Sequence, residues 1–121
     1  MNDQLRQAIG SCLDQTFKDF ELIVVANGEH AAKIQIAIEL WFPNESRMRI
    51  FQTEIRHLSF SLSLGLHYAR AGLIARMDSD DLSYSHRLAM QVEFMENNPS
   101  VGVLGRACCE NTNRNRTVVP K

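Results

Sequence analysis

Asp78, Asp80 and Asp81 stand within four consecutive residues of the stretch ARMDSDDLSYSHRLAMQ, Ala75 to Gln91, directly behind an apolar run. Like charges this close repel, and taking any of them out of water is costly. The crowding calls either for a bound cation or for a solvated loop. In extended chain, Asp78 and Asp80 point to one side while Ser79 and Asp81 point to the other. Two carboxylates on one side make a hard-oxygen site suited to Mg²⁺ or Mn²⁺, with positions open for water and substrate phosphates. A cation there would remove the repulsion and neutralise a departing diphosphate. The competing reading is a solvated acidic turn or a helix N-cap, for which one such side chain suffices. A calcium loop starting at Asp78 fits worse, since Ser83 and Ala89 stand where it needs Gly and Glu.

The elements around the cluster follow from hydrophobic spacing. Leu5, Ala8, Ile9, Cys12 and Leu13 predict a helix from about Asp3 to Asp14 with one apolar stripe. ELIVVAN is a short apolar run stopped by Asn27-Gly28 and reads as a buried strand. Ala31 to Phe42 reads as a helix carrying Ile34, Ala37, Ile38 and Trp41 on one side and ended by Pro43, and RMRIFQ reads as a short strand. Leu58, Leu62, Leu66 and Ala69 predict a helix from about Ser59 to Ala71, with Gly72 suited to its C-terminal cap. LIARMD reads as a strand running into the aspartates. Leu88, Val92 and Met95 predict a further helix ended at Glu96 to Pro99. VGVLGRACCE reads as a last strand, and the polar NTNRNRTVVPK implies a loose tail over about residues 108–121. Such alternation implies an α/β layer, a mostly parallel sheet with flanking helices. Ligands of these sheets sit at the carboxyl ends of strands. Asn27-Gly28 and the aspartates both fall there.

The 121 residues allow at most one domain. A net charge of −1 gives no basic surface for nucleic acid. No run of about 18 apolar residues predicts a transmembrane segment. The start, MNDQLRQAIG, lacks the charged beginning and apolar centre of a signal peptide, so the protein is read as cytoplasmic. Cys12, Cys108 and Cys109 have neither disulfide nor zinc spacing and read as reduced thiols. The four histidines are scattered, Trp41 reads as core, and Phe17 and Phe20 read as turn packing.

SCLDQTFKDFELIVVANGE followed by LIARMDSDDLSYSHRLAMQVEFMENNPSVGVLG resembles family 2 glycosyltransferases, most of all members that build polysaccharides. Ser11, Leu13, Gln15, Thr16, Glu21, Val24, Val25 and Gly28 stand at positions of the first family block, and Ile74 to Asp81 with Arg87, Leu88 and Gln91 at those of the second. The resemblance covers about residues 8–106. It implies a GT-A fold and inverting transfer from a nucleotide-sugar donor to a saccharide or glycolipid acceptor, with Mn²⁺ or Mg²⁺ as cofactor. By the same resemblance Asp78 contacts the nucleotide ribose or the metal, and Asp80 ligates the metal that bridges the diphosphate. Asp81 orients the loop or caps the next helix near Ser85, and the Asn27 region approaches the nucleotide base. Arg76 and Arg87 either balance the acidic loop or hold phosphates. His57 lies near a basic nucleotide contact of the family. A longer form of the protein would work at the inner face of the membrane.

The chain departs from the pattern at several points. Ala26-Asn27-Gly28-Glu29 replaces the family's Asp-Asp-Gly-Ser; Ala26 accepts no hydrogen bond from a base, and Asn27 substitutes only partly for a carboxylate. Ser63 replaces a frequent Asn. Against the family, residues 1–121 are expected to form a partial nucleotide-sugar-binding domain. It would lack the first, central strand and the downstream acceptor region that carries the general base. Without that strand, ELIVVAN and LIARMD are expected to pair directly, or a second copy of the chain covers the gap as a homo-oligomer. An isolated chain of this kind is expected to be inactive. The alternative is a non-catalytic or degenerate module that binds nucleotide weakly or associates with itself. A different phosphoryl enzyme is disfavoured by the lack of a Walker-type glycine loop.

Overall fold

The computed structural model describes residues 3–102, 107–111 and 116–120, the last two segments as backbone only. The chain divides into two compact units, Met1–Ala89 and Met90–Lys121. The first unit carries α1 (Asp3–Leu13), β1 (Leu22–Asn27), α2 (Ala31–Trp41), β2 (Met48–Thr53) and α3 (Leu58–Tyr68). α4 (Arg87–Asn97) begins in the first unit and continues in the second. No helix among the described residues is long and apolar enough to cross a membrane.

β1 and β2 are parallel, in register from Leu22 opposite Met48 to Asn27 opposite Thr53, with α2 as the crossover between them. The pleat sorts their side chains onto two faces. Leu22, Val24, Met48 and Ile50 pack on the core of Ile9, Leu13 and Ile38, which α1 and α2 supply, and Trp41 packs there too, as expected. Ile23 and Val25 face α3: a Cβ on Gly65 would lie 3.8 Å from a methyl of each. Helices therefore cover both faces, which is why ELIVVAN reads as an unbroken apolar run rather than an alternating one. Arg47 ties the α1 end to β2 by donating to the Leu13 carbonyl at 3.2 Å, and its guanidinium lies 4.8 Å from the centre of the Phe20 ring.

Three expectations are corrected here. The stripe foreseen on α3 is not its buried face: Leu58 and Leu66 are exposed, while Ser61 is buried and Gly65 meets the sheet. Small side chains let this helix approach the strand closely. The helix also stops at Tyr68, with Ala69 rather than Gly72 at its C-cap. LIARMD forms no strand and does not pair with β1; Leu73 and Ile74 are exposed, and β1 has β2 as its sole ladder partner among the described residues. A strand needs a neighbour for its backbone groups, and apolar composition alone does not supply one.

In the second unit, Asn98 closes the α4 end by donating to the Phe94 carbonyl at 2.8 Å. Beyond it, β3 (Ala107–Asn111) and β4 (Arg116–Pro120) pair antiparallel, Ala107 opposite Pro120 and Asn111 opposite Arg116. The loose tail foreseen from about residue 108 thus holds paired backbone. Of the last strand foreseen over residues 101–110, residues 107–110 form strand and 101–102 do not, while residues 103–106 lie outside the described residues.

Candidate functional site

The aspartates sit on a tight turn rather than on extended chain. The Asp81 amide donates to the Asp78 carbonyl at 3.2 Å, so strand alternation does not decide which carboxylates share a side. Asp78 and Asp80 are exposed and Asp81 is half-buried. Asp78 meets the Arg76 guanidinium at 3.4 Å, with both side chains more than half exposed. α4 starts at Arg87, too far along the chain for Asp81 to be its N-cap residue. Among the described residues, no three His, Cys, Asp or Glu side chains converge on one metal position. The donor set that remains, two exposed carboxylates on one turn, still suits a cation that takes one or two carboxylates and fills its shell with phosphate and water.

The turn is held at both feet. On the entry side, the Arg87 guanidinium donates to the Arg76 carbonyl at 2.8 Å and touches the Met77 sulfur at 3.6 Å. On the exit side, the Ser83 amide donates to Ser11 Oγ at 2.9 Å, and Ser11 Oγ donates on to the Ala8 carbonyl. Gln15 is wholly buried. Its Nε2 donates to the Tyr84 carbonyl at 2.6 Å and to the Ser11 carbonyl at 3.0 Å, while its Oε1 accepts from the Leu88 amide at 3.0 Å. The Thr16 amide adds a bond to the Ser85 carbonyl at 2.9 Å, and its hydroxyl meets His86 Nδ1 at 3.3 Å. Cys12 lies in the same seam. Burial raises its thiol pKa and the Arg87 charge lowers it less, and Cys12 is a free thiol.

The second site element lies at the carboxyl ends of β1 and β2. Asn27 Nδ2 donates to Ser61 Oγ at 3.0 Å, which leaves the amide oxygen as the acceptor of that side chain. Gly28 takes a φ of 92°, a conformation that favours glycine, and donates to the Thr53 carbonyl at 3.0 Å. Arg56 lies over it so closely that a Cβ there would stand 2.9 Å from Arg56 Cγ. Arg56 was not legible as a site residue; its neighbour His57 drew the attention instead. His57 proves to be the α3 N-cap, its Nδ1 accepting from the Phe60 amide at 3.4 Å. Asn27 and the aspartate turn both belong to the Met1–Ala89 unit.

Glu21 fixes the approach to the turn. Its carboxylate accepts from Arg49 Nη1 and from the Arg70 amide, each at 2.8 Å, and Arg49 also donates to the Tyr68 carbonyl at 2.8 Å. The Arg49 bond, then the Arg70 amide, hold its pKa below the ordinary 4.5. The Tyr68 ring stacks on Phe51 at 4.3 Å. The chain leaving α3 toward the aspartates is thereby anchored to both strands.

Comparison with known proteins bears on this arrangement. The model of the family described as glycosyl transferase family 2 matches residues 2–120. The chain is 40% identical over 91 residues to the O-antigen biosynthesis glycosyltransferase WbnJ of Escherichia coli, covering 75% of this chain and 36% of that protein. It is 31% identical over 102 residues to the bifunctional glycosyltransferase pgtA of Dictyostelium discoideum, covering 81% and 13%. It is also 31% identical over 108 residues to an uncharacterized glycosyltransferase of Haemophilus influenzae, covering 88% and 43%. The chain thus spans less than half the length of each of these relatives. No solved structure gives a significant match. Because the family match runs through both the Ser11–Gly28 block and the aspartate turn which that block clamps, this chain belongs to glycosyl transferase family 2.

Proposed function

We propose that this chain is the donor-nucleotide part of an inverting glycosyltransferase that moves a sugar from a nucleotide-sugar donor to a saccharide or glycolipid acceptor. The observation that carries this reading is an exposed Asp-x-Asp turn pinned at both feet within a family 2 chain. The relative WbnJ is named for O-antigen biosynthesis, which supports a saccharide or glycolipid acceptor.

Asp78 and Asp80 are the residues that would hold Mn²⁺ or Mg²⁺, and Asp78 also lies within the segment that would meet the ribose. When bound, the cation supplies charge neutralisation for the diphosphate leaving group. Asn27 offers its amide oxygen to the nucleotide base, and Arg56 brings positive charge to the same strand ends. None of these residues is assigned the deprotonation of the acceptor hydroxyl, a role that contributes ~10²–10⁴-fold of rate. The chain alone is therefore expected to bind donor and not to transfer sugar.

A second reading, a degenerate or self-associating module, is favoured by Ala26 and by the engagement of Asn27 with Ser61. The edge of β1 that pairs with no strand among the described residues is where a second copy would add one. Titration of the chain with UDP and GDP, with and without Mn²⁺, separates the two. The donor reading expects one nucleotide to bind in a Mn²⁺-dependent way and Asp80→Asn to remove that binding. No binding, or binding indifferent to Mn²⁺ and to Asp80→Asn, overturns it in favour of the module.

A further inference from the structure

We propose that Gln15 is a positioning residue of the donor site, whose buried amide sets where the aspartate turn stands and hence how well it takes a divalent cation. The proposal rests on the donor reading above and goes beyond it, because Gln15 touches neither aspartate. Besides the Ser11 carbonyl, its bonds fall on Tyr84 and Leu88, on either side of Arg87. Arg87 in turn holds the peptide just before Asp78 through the Arg76 carbonyl. The Ser83 amide on Ser11 Oγ fixes the exit of the turn to the same helix. One buried amide thus closes a path from α1 through the start of α4 to the entry of the aspartate turn. One Nε2 bond stays with the Ser11 carbonyl of α1, while the other and the Oε1 acceptor go to this one segment, which a glutamine needed only to fill the core would not require.

The chemistry supports the amide specifically. Nε2 donates to carbonyls and Oε1 accepts from an amide, so the group satisfies both kinds of buried backbone partner at once. Leucine has similar volume and satisfies neither. It would leave the Tyr84 carbonyl and Leu88 amide without this partner, a loss that loosens the segment locally.

The test uses the full chain, with Mn²⁺ alone and Mn²⁺ with UDP as probes. Mn²⁺ affinity is read by electron paramagnetic resonance, and backbone order by amide hydrogen exchange at Ser83 and Leu88. Gln15→Leu is expected to raise exchange at both amides at least tenfold and to weaken Mn²⁺ binding roughly tenfold, the order set by losing buried hydrogen bonds. The Val24 and Val25 amides should be unchanged. Ser11→Ala, a milder change confined to the exit side, should raise exchange at Ser83 and weaken Mn²⁺ in the same direction; it decides the matter if Gln15→Leu does not fold. Raised exchange with unaltered Mn²⁺ affinity would reduce Gln15 to a structural tie and overturn the proposal, as would unaltered exchange. If the wild-type chain binds no Mn²⁺ with or without UDP, the cation reading fails. The exchange data then decide the clamp by themselves, and protection equal to wild type in Gln15→Leu overturns it.

Discussion

Replacing Arg76 by Gln should strengthen the binding of free Mn²⁺. The guanidinium stands 3.4 Å from Asp78 Oδ1, the same carboxylate that would serve the cation. Both side chains are more than half exposed, so the pair contributes at most about 1 kcal/mol to folding, and its loss should not unfold the chain. Its effect on a divalent ion is larger, because the ion carries two charges. With a carboxylate-to-cation distance of about 2.1 Å added to the observed pair, the guanidinium would lie about 5.5 Å from the ion. In a water-like dielectric the repulsion at that separation is about 1.5 kcal/mol, roughly a tenfold effect on affinity. The arginine is free to swing away, so the expected gain is about three- to tenfold. Titration followed by electron paramagnetic resonance of free Mn²⁺ measures it directly, and raising the salt toward 1 M should shrink it. An Arg76→Gln chain that binds Mn²⁺ no better than wild type, or worse, would refute this reasoning and make Arg76 a helper of the site rather than a competitor within it.

Two further outcomes test the scaffold. Glu21 has a lowered pKa in the folded chain, so its ion pair stabilises the fold above the ordinary value of 4.5 and that contribution is lost as pH falls through the lower folded value. Thermal unfolding between pH 6 and about pH 3 should show this loss in wild type and a flatter profile in Glu21→Gln; equal slopes would show that the clip adds nothing. Ile38 is fully buried, and Ile38→Ala should remove about 2–5 kcal/mol from a unit with about 5–15 to spare, read by urea unfolding through the fluorescence of the single Trp41. A change under about 1 kcal/mol would mean that the core cluster can collapse around the cavity.

How much of this was legible in the sequence differs by element, for physical reasons. The α1 stripe and ELIVVAN were legible because burial against neighbours leaves a period, or the lack of one, in the residue types themselves. The face of α3 was misread because leucine spacing was counted. Contact with the sheet goes instead through Ser61 and Gly65, where closeness requires small residues. LIARMD looked like a strand because its composition allows one, yet pairing is a property of two segments. The pairing of β3 with β4 was missed for a related cause, since the polar NTNRNRTVVPK gives little periodicity and a strand is made by its cross-strand partner.

The aspartates stood out in the sequence, and the geometry of their turn was not legible there. A turn closes Asp78 onto Asp81, and the bonds that hold its surroundings come from Ser11 and Gln15, which stand 72 and 73 positions before the Ser83 and Leu88 amides they accept from. The same bonds explain why the first block carries Ser11, Gln15 and Thr16 at all. Gln15, wholly buried just past an apolar helix, is costly to bury unless its donors and acceptor are met, and half-buried Ser11 shares part of that cost. They are met partly within α1, at the Ala8 and Ser11 carbonyls, and partly by the backbone of the segment behind the aspartates. Glu21 does the corresponding work on the approach, through the Arg70 amide. The two blocks are therefore not separate signatures of one family. The first is the scaffold of the second, and the polar residues of the first are placed where the acidic turn must be held against its own repulsion.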